Sequence, residues 1–217
     1  MGLERIEADS ALGAYLDGLV LPGEPLSRLY AETADDPMAQ MMTHPDLGRL
    51  LAVLVTASGG RAVLEMGTFV GVSATWMAGA LAPGGRIDTL EVDPERADRA
   101  EAWFARAGIS DRVRVHRGPA AETLAGLPDG AYDLAYIDAD KTGYPTYLEH
   151  AVRLVRPRGL IAADNVLSGG QMGRPPEEDD ERLAALRAYT ARAMDDPRLR
   201  SAVLTIGDGV TLSVVLP

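Results

Sequence analysis

The sequence predicts an α/β protein: a doubly wound, mostly parallel seven-stranded sheet with helices on both faces and an antiparallel C-terminal strand. Three observations predict it. Short apolar runs alternate with amphipathic stretches in five successive strand–helix units, the pattern of a parallel sheet covered on both sides. Two further strand-like runs flank Gly207-Asp208-Gly209 and close the chain as a hairpin. Of 217 residues, 47 % are hydrophobic, enough to fill one core of ordinary domain size.

Three helical stretches come first, over residues 10–19, 25–35 and 45–57. They form an N-terminal helical cap (1–58) on a single domain (1–217). Pro45 sits in the first turn of the third stretch, where a missing N–H costs nothing, and Gly59-Gly60 ends it. Residues 61–66 are a short apolar run that reads as a buried strand. A glycine-punctuated turn, 67–71, leads into a helix over 72–81, and Pro83-Gly84-Gly85 turns the chain. The unit then repeats: strand 86–92 and helix 95–107, strand 113–117 and helix 121–127, strand 132–137 and helix 144–155. The apolar strand 160–163 follows. Residues 168–180, rich in Gly, Pro and acid, form the loop most expected to move. A helix over 181–194 precedes the hairpin strands 202–206 and 210–216.

Composition excludes several functions. Without cysteine there is no disulfide framework, thiolate metal site or cysteine nucleophile. A net charge of -11 argues against a nucleic-acid groove. Residues 1–9 are charged and lack the apolar stretch of a signal peptide, and no apolar run is long enough to span a membrane, so a cytoplasmic protein without a membrane partner is expected. Of 21 basic residues, Lys141 is the only lysine. Arginine stays protonated at any useful pH, whereas lysine can give up its proton. A site that needs a neutral amine therefore cannot use arginine.

In an open α/β sheet, ligands bind beyond the carboxyl ends of the strands. After the first strand, E-M-G-T-F-V-G (65–71) has the spacing G-x-x-x-G, not the G-x-G-x-x-G that cradles a pyrophosphate. Gly67 lets the backbone turn tightly and approach a ligand, though a plain strand-to-helix turn has the same look. Glu91 ends the second strand, about 20 residues on, where a carboxylate can accept both ribose hydroxyls. Asp93 before Pro94 reads as a helix cap. The fourth strand ends in D-A-D-K (138–141) and the fifth in D-N (164–165). If these ends are adjacent, Asp138, Asp164 and Asn165 present three oxygens, a set for Mg²⁺, Mn²⁺ or Ca²⁺ rather than zinc. The plainer alternative is turn capping, with Asp138 ion-paired to Lys141. His44, His116 and His150 show no ligand spacing and read as structural, His44 being nearest the expected cleft.

These strings together make the chain resemble the cation-dependent O-methyltransferases of the catechol and caffeoyl-coenzyme A type, a class I, Rossmann-like family. The matches are M-M-T-H-P (41–45), V-L-E-M-G-T-F-V-G-V-S (63–73), E-V-D-P (91–94), I-D-A-D-K-T-G-Y-P-T-Y (137–147), D-N-V-L (164–167) and I-G-D-G-V-T-L (206–212). The resemblance implies S-adenosylmethionine as co-substrate. Glu65, Gly67, Thr68 and Ser73 would hold its methionine part, with Thr43 closing over it. Glu91 would bind the ribose, Pro119 and Ala120 would border the adenine, and Tyr147 would lie near the amine or the acceptor. Asp138, Asp164 and Asn165 would hold the divalent cation, with Asp138 also part of the catalytic pair. Lys141 would take the proton from one hydroxyl of a vicinal-diol acceptor, after which the oxygen attacks the sulfonium methyl. Relatives of this kind are commonly homodimers.

Two departures bear on the acceptor. Ser168 stands where members often carry Trp, and Arg49 where many have Gln. The first suggests a more open site and a bulky phenol. A coenzyme A thioester is disfavoured by the acidic chain. Two other functions stay open: a methyltransferase-like binding module that does not turn over, and an NAD-type oxidoreductase.

Overall fold

The structure, a computed structural model, describes residues 10–19, 21–178 and 180–217; the reading of residues 1–9 as lacking a leader lies outside them. The helices are α1 (Ser10–Leu19), α2 (Leu26–Thr33), α3 (Pro45–Ser58), α4 (Val72–Ala78), α5 (Pro94–Ala107), α6 (Ala120–Gly126), α7 (Tyr144–Leu154) and α8 (Glu181–Asp195). The strands are β1 (Ala62–Met66), β2 (Arg86–Glu91), β3 (Val113–Arg117), β4 (Tyr132–Ile137), β5 (Val155–Ala163), β6 (Leu199–Leu204) and β7 (Val210–Val215). They form one sheet in the order β3-β2-β1-β4-β5-β7-β6. All pairings are parallel except those of β7, which runs antiparallel to both β5 and β6. The expected seven strands and antiparallel C-terminal strand are both present.

Alternation along β1 divides the core. Val63 joins Leu51, Val55, Met77 and Trp103 from α3, α4 and α5 on one face. Leu64 and Met66 join Leu124, Leu148 and Leu186 from α6, α7 and α8 on the other. Every residue of β1 and β4 is buried, which is why both are apolar apart from Glu65 and Asp133. The chain winds outward from β1 to β3, then returns to β4 on the other side of β1, so a crevice opens where the ends of β1 and β4 part.

Local chemistry sets the helix ends. Asp93 accepts from the N–H groups of Glu95 and Arg96 and caps α5, as the sequence suggests, and Asp180 accepts from Leu183 N–H at the start of α8. His44 caps α3 through Nδ1, which accepts from Asp46 N–H (3.4 Å). The other histidines also have structural surroundings: His116 bonds Asp88 (2.7 Å), and His150 lies on α7. Among the described residues, no helix is long and apolar enough to cross a membrane.

Some boundaries move. β5 begins at Val155, not 160, because Arg156-Pro157-Arg158-Gly159 reads as a turn but forms an irregular strand start with a register shift against β4. A Cβ at Gly159 would lie 2.8 Å from the Asp133 carbonyl oxygen, so the two backbones meet closely there. Helix α4 stops at Ala78 rather than 81, because Ala82 N–H turns away to Gly60 O (3.0 Å) to deliver the chain to β2. Strand β6 starts earlier than expected, at Leu199. The loop after β5 holds two 3-10 turns, Ser168–Gly173 and Pro176–Glu178.

One carboxylate ties the lower edge of the sheet together. Asp133 Oδ2 accepts from the N–H groups of Arg61 and Ala62 (both 2.9 Å), and Oδ1 accepts from Arg156 Nε (2.7 Å). Arg156 also donates to Ser58 O (2.6 Å), so α3, β1, β4 and β5 share one network. Burial works to raise the Asp133 carboxyl, but Arg156 and the two N–H groups outweigh it and hold it below its ordinary value. Its stabilisation is thus present above the ordinary aspartate range and is lost as pH falls through the lowered value. Asp133→Asn is expected to cost about 3 kcal/mol at neutral pH. Urea denaturation checks this, as a lower midpoint at constant slope, with the deficit shrinking in acid.

Candidate active site

A cavity of about 720 Å³ opens at the ends of β1, β2, β4 and β5. That volume suits a small organic ligand. Its floor is the turn after β1. Gly67 has φ 101°, and a Cβ there would lie 2.1 Å from the Asp138 carbonyl oxygen. The N–H groups of Gly67 and Thr68 both reach Leu90 O (3.0 and 3.1 Å), and Asp138 N–H reaches Met66 O (2.9 Å). Only glycine lets β1, β2 and β4 converge this closely. Gly67→Ala is expected to destabilise the fold by more than about 2 kcal/mol; an unchanged melting temperature would show that the turn relaxes.

Beneath this turn lies Glu65, fully buried and outside the cavity wall. Thr89 donates to its Oε2 (2.6 Å), and since that uses the Thr89 proton, Thr68 donates to Thr89 in turn (2.6 Å). Oε1 has no partner. Burial pushes the Glu65 carboxyl up to about 8, with the Ser73 and Thr89 hydroxyls opposing and the charges of Asp138 and Glu91 reinforcing. The carboxyl with its one unpaired oxygen thus lies behind the cavity wall without reaching it.

Thr43, Gly67, Thr68, Ser73, Glu91, Pro119, Ala120 and Tyr147 all line the cavity. Glu91 uses both oxygens on backbone, accepting from Phe69 N–H (2.8 Å) and Asp93 N–H (3.0 Å), which fixes its carboxylate at the rim. Tyr147 donates to Asp140 Oδ1. Over the cavity lies a 3-10 turn, Ala39–Met41, followed by Met42 and Thr43. Tyr30 of α2 donates to Thr43 O (2.6 Å) and accepts from Trp76 Nε1 (3.1 Å). Ion pairs Arg99–Asp36 (2.7 Å) and Arg106–Glu32 (2.9 Å) fasten the same segment to α5.

Asp138, Lys141, Asp164 and Asn165 also line the cavity. Lys141 Nζ donates to Asp138 Oδ1 (2.9 Å) and to the Tyr144 hydroxyl (2.8 Å), which donates on to Asp164 O (3.0 Å). The ion pair and the shared cavity, alternatives in the sequence, therefore coexist. Asn165 has φ 60°, a left-handed conformation that asparagine tolerates better than most residues. Its N–H donates to Asp164 Oδ1 (2.7 Å). Burial, reinforced by the charge of Asp138, pushes the Asp164 carboxyl up to about 7. Among the described residues, no group of three or more His, Asp or Glu is placed to hold a metal ion. The candidate donors are two carboxylates and an amide. As an all-oxygen set holding two carboxylates close enough to repel, they fit a hard divalent cation.

Several cavity residues escape the sequence reading: Gln40, Phe69, Arg96, Arg182 and Asp208 in the wall, and Tyr144 behind Lys141. Only Tyr144 leaves a sequence signal, being three residues after Lys141 where α7 begins. Ser168 does not open the site as its small size suggests. It is buried and accepts from Arg182 (2.6 Å), which fills the wall beside it.

Residues 22–216 match the sequence model of a family described as O-methyltransferase. The chain belongs to that O-methyltransferase family. It is similar to a catechol O-methyltransferase of Mycobacterium tuberculosis, 35 % identical over 99 % of this chain and 100 % of that one. Among solved structures, it resembles the O-methyltransferase TomG from Streptomyces achromogenes, which is involved in tomaymycin synthesis and was solved with S-adenosylmethionine. The TM-score is 0.86 at 29 % identity, covering 95 % of this chain and 96 % of that one. It also resembles an O-methyltransferase from Bacillus cereus in complex with S-adenosylhomocysteine, with a TM-score of 0.82 at 31 % identity, covering 94 % and 97 %. The O-methyltransferase fold of these relatives is the sheet described above.

Proposed function

We infer that this O-methyltransferase transfers the methyl group of S-adenosylmethionine to one hydroxyl of a vicinal-diol, catechol-like small molecule. A hard divalent cation, Mg²⁺ or alternatively Mn²⁺ or Ca²⁺, would be held by Asp138, Asp164 and Asn165. One observation carries the reading: the only lysine of the chain stands in the same cavity as these oxygen donors, paired with one of them. The bound forms of the TomG and Bacillus cereus proteins support the co-substrate, and the name of the mycobacterial relative supports the acceptor.

The chain's residues divide the work. Gly67, Thr68 and Ser73 would hold the methionine part, with Thr43 above and Glu65 behind. Glu91 would take the ribose, Pro119 and Ala120 would flank the adenine, and Tyr147 would border the amine or the acceptor. Held by Asp138, Asp164 and Asn165, a divalent cation would act as a Lewis acid on the acceptor and make one hydroxyl more acidic. Lys141 would take that hydroxyl's proton on Nζ, with Asp138 and Tyr144 holding Nζ in place. Oxygen and methyl carbon must meet in line at about 3 Å, so orientation by the cavity wall carries much of the rate.

The test is a panel of vicinal diols and matched monophenols with labelled S-adenosylmethionine, with and without Mg²⁺. Transfer to diols alone, and only with the cation, is expected. Cofactor binding without transfer to any diol would point instead to a silent binding module. Homodimerisation belongs to the same reading. Tyr15, Leu16 and Leu19 of α1, with Leu21 and Val53, are large apolar residues left exposed. Light scattering is expected to give twice the chain mass.

A further inference from the structure

Among the described residues, three basic side chains line the cavity, and two of them are committed. Lys141 pairs with Asp138. Arg96 pairs with Asp93 (3.7 Å) and lies over the Phe69 ring (5.4 Å to its centroid). Arg182 differs, because its hydrogen bonds go to uncharged groups: Nη1 donates to Ser168 Oγ (2.6 Å) and Nη2 to Gln171 Oε1 (3.2 Å). A guanidinium has five N–H donors in a planar fork, so these two bonds leave three. The loop has other anchors that need no ion pair at Arg182, since Arg187 donates to the carbonyls of Met172 and Arg174.

Its placement relates this charge to the candidate donors. Ser168 N–H donates to Asn165 O (3.0 Å), so the hydroxyl that holds the guanidinium lies one turn of chain from Asn165 and Asp164. We propose that Arg182 selects acceptors bearing a carboxylate on the diol ring or on a short arm from it, bound by the N–H donors that its two bonds leave. The proposal rests on the diol reading above for what occupies the rest of the cavity. Arginine suits this role because its planar fork matches both oxygens of a carboxylate. Five carboxylates among the described residues line the same cavity, and the one tied to the Ser168 loop, Asp208, would favour a cationic arm. It is exposed at the hairpin tip, and Oδ1 already accepts from Gly169 N–H (2.8 Å).

Calorimetry with Mg²⁺ and S-adenosylhomocysteine present compares 3,4-dihydroxybenzoate, catechol and dopamine. The carboxylated diol is expected to bind about ten- to a hundredfold more tightly than catechol. Arg182→Gln is expected to bring that ratio close to one, and Arg182→Lys to restore part of it. Equal binding of dihydroxybenzoate and catechol, tighter binding of dopamine, or binding of none overturns the proposal, as does an Arg182→Gln variant that keeps the ratio. Should that variant fail to fold, the wild-type ranking alone decides. Methyl transfer to the same compounds is read separately. Transfer to none of them overturns the diol reading, while the binding ratio still judges Arg182.

Discussion

Lys141→Ala is expected to lower kcat by about 10²–10⁴-fold, the usual contribution of a positioned proton acceptor. The melting temperature should move little. The Lys141–Asp138 pair is partly solvated, with side-chain exposures of 18 % and 22 %, and such a pair is worth about 1 kcal/mol or less. That corresponds to a few degrees in a chain of this size. Lys141→Arg separates charge from proton transfer. Arginine keeps a cation beside Asp138 but cannot act as the neutral base, so it should be nearly as slow as the alanine variant. The pH profile gives a second readout, because the limb of kcat that reports the base should vanish in both variants. Full activity of Lys141→Ala at neutral pH would remove lysine from the mechanism, whatever the cavity binds.

Exhaustive chelation is the second large effect. EDTA should bring methyl transfer to background, and added Mg²⁺ should restore it. Mg²⁺ should also raise the melting temperature of the wild-type protein, since a ligand that binds only the folded state stabilises it. Asp164→Asn distinguishes the donor role from a structural one. Losing a group that merely orients a ligand weakens metal binding about 10–100-fold, and losing a direct donor should cost at least as much. Yet Asp164 is 7 % exposed and faces the like charge of Asp138. Removing its charge relieves the cation-free fold, so the variant should melt at or above the wild type without Mg²⁺ and fail to respond to it. A variant that still responds as the wild type does would mean that the cation sits elsewhere. Activity that survives chelation would remove the cation from the reaction altogether.

The legible parts of the fold were those with one dominant local cause. Central strands β1 and β4 are buried on both faces, so their sequences are apolar apart from one carboxylate each, Glu65 and Asp133. The cap of α5 is written in Asp93-Pro94. Strand β5 was legible only at its end. Pro157 and Gly159 carry turn chemistry, and the network of Asp133 and Arg156 that anchors this segment joins distant parts of the chain. The candidate site divides in the same way. Glu91, Asp138, Lys141, Asp164 and Asn165 could be found because ligands gather at strand ends, which the alternation of elements marks. Arg182, Asp208 and the turn over residues 39–41 come to the cavity through tertiary packing, for which a single sequence has no periodic signature. Ser168 shows the limit most directly. Its small side chain suggests space, whereas the guanidinium that takes the space is supplied by α8.

The seam between β1 and β4 also divides the cavity by ancestry of its walls. One side hangs from the turns that follow β1, β2 and β3. The other hangs from the ends of β4 and β5, the start of α8 and the hairpin tip, where Leu167 N–H bonds Asp208 O (2.9 Å) and a Cβ on Gly209 would run into the Leu167 side chain. Substitutions between the end of β5 and the start of α8 can therefore reshape one wall without disturbing the glycine turn of the other. A scaffold partitioned this way can exchange acceptors over evolutionary time while keeping its methyl donor, and in the laboratory a transplant of that loop from a relative is the natural unit of redesign.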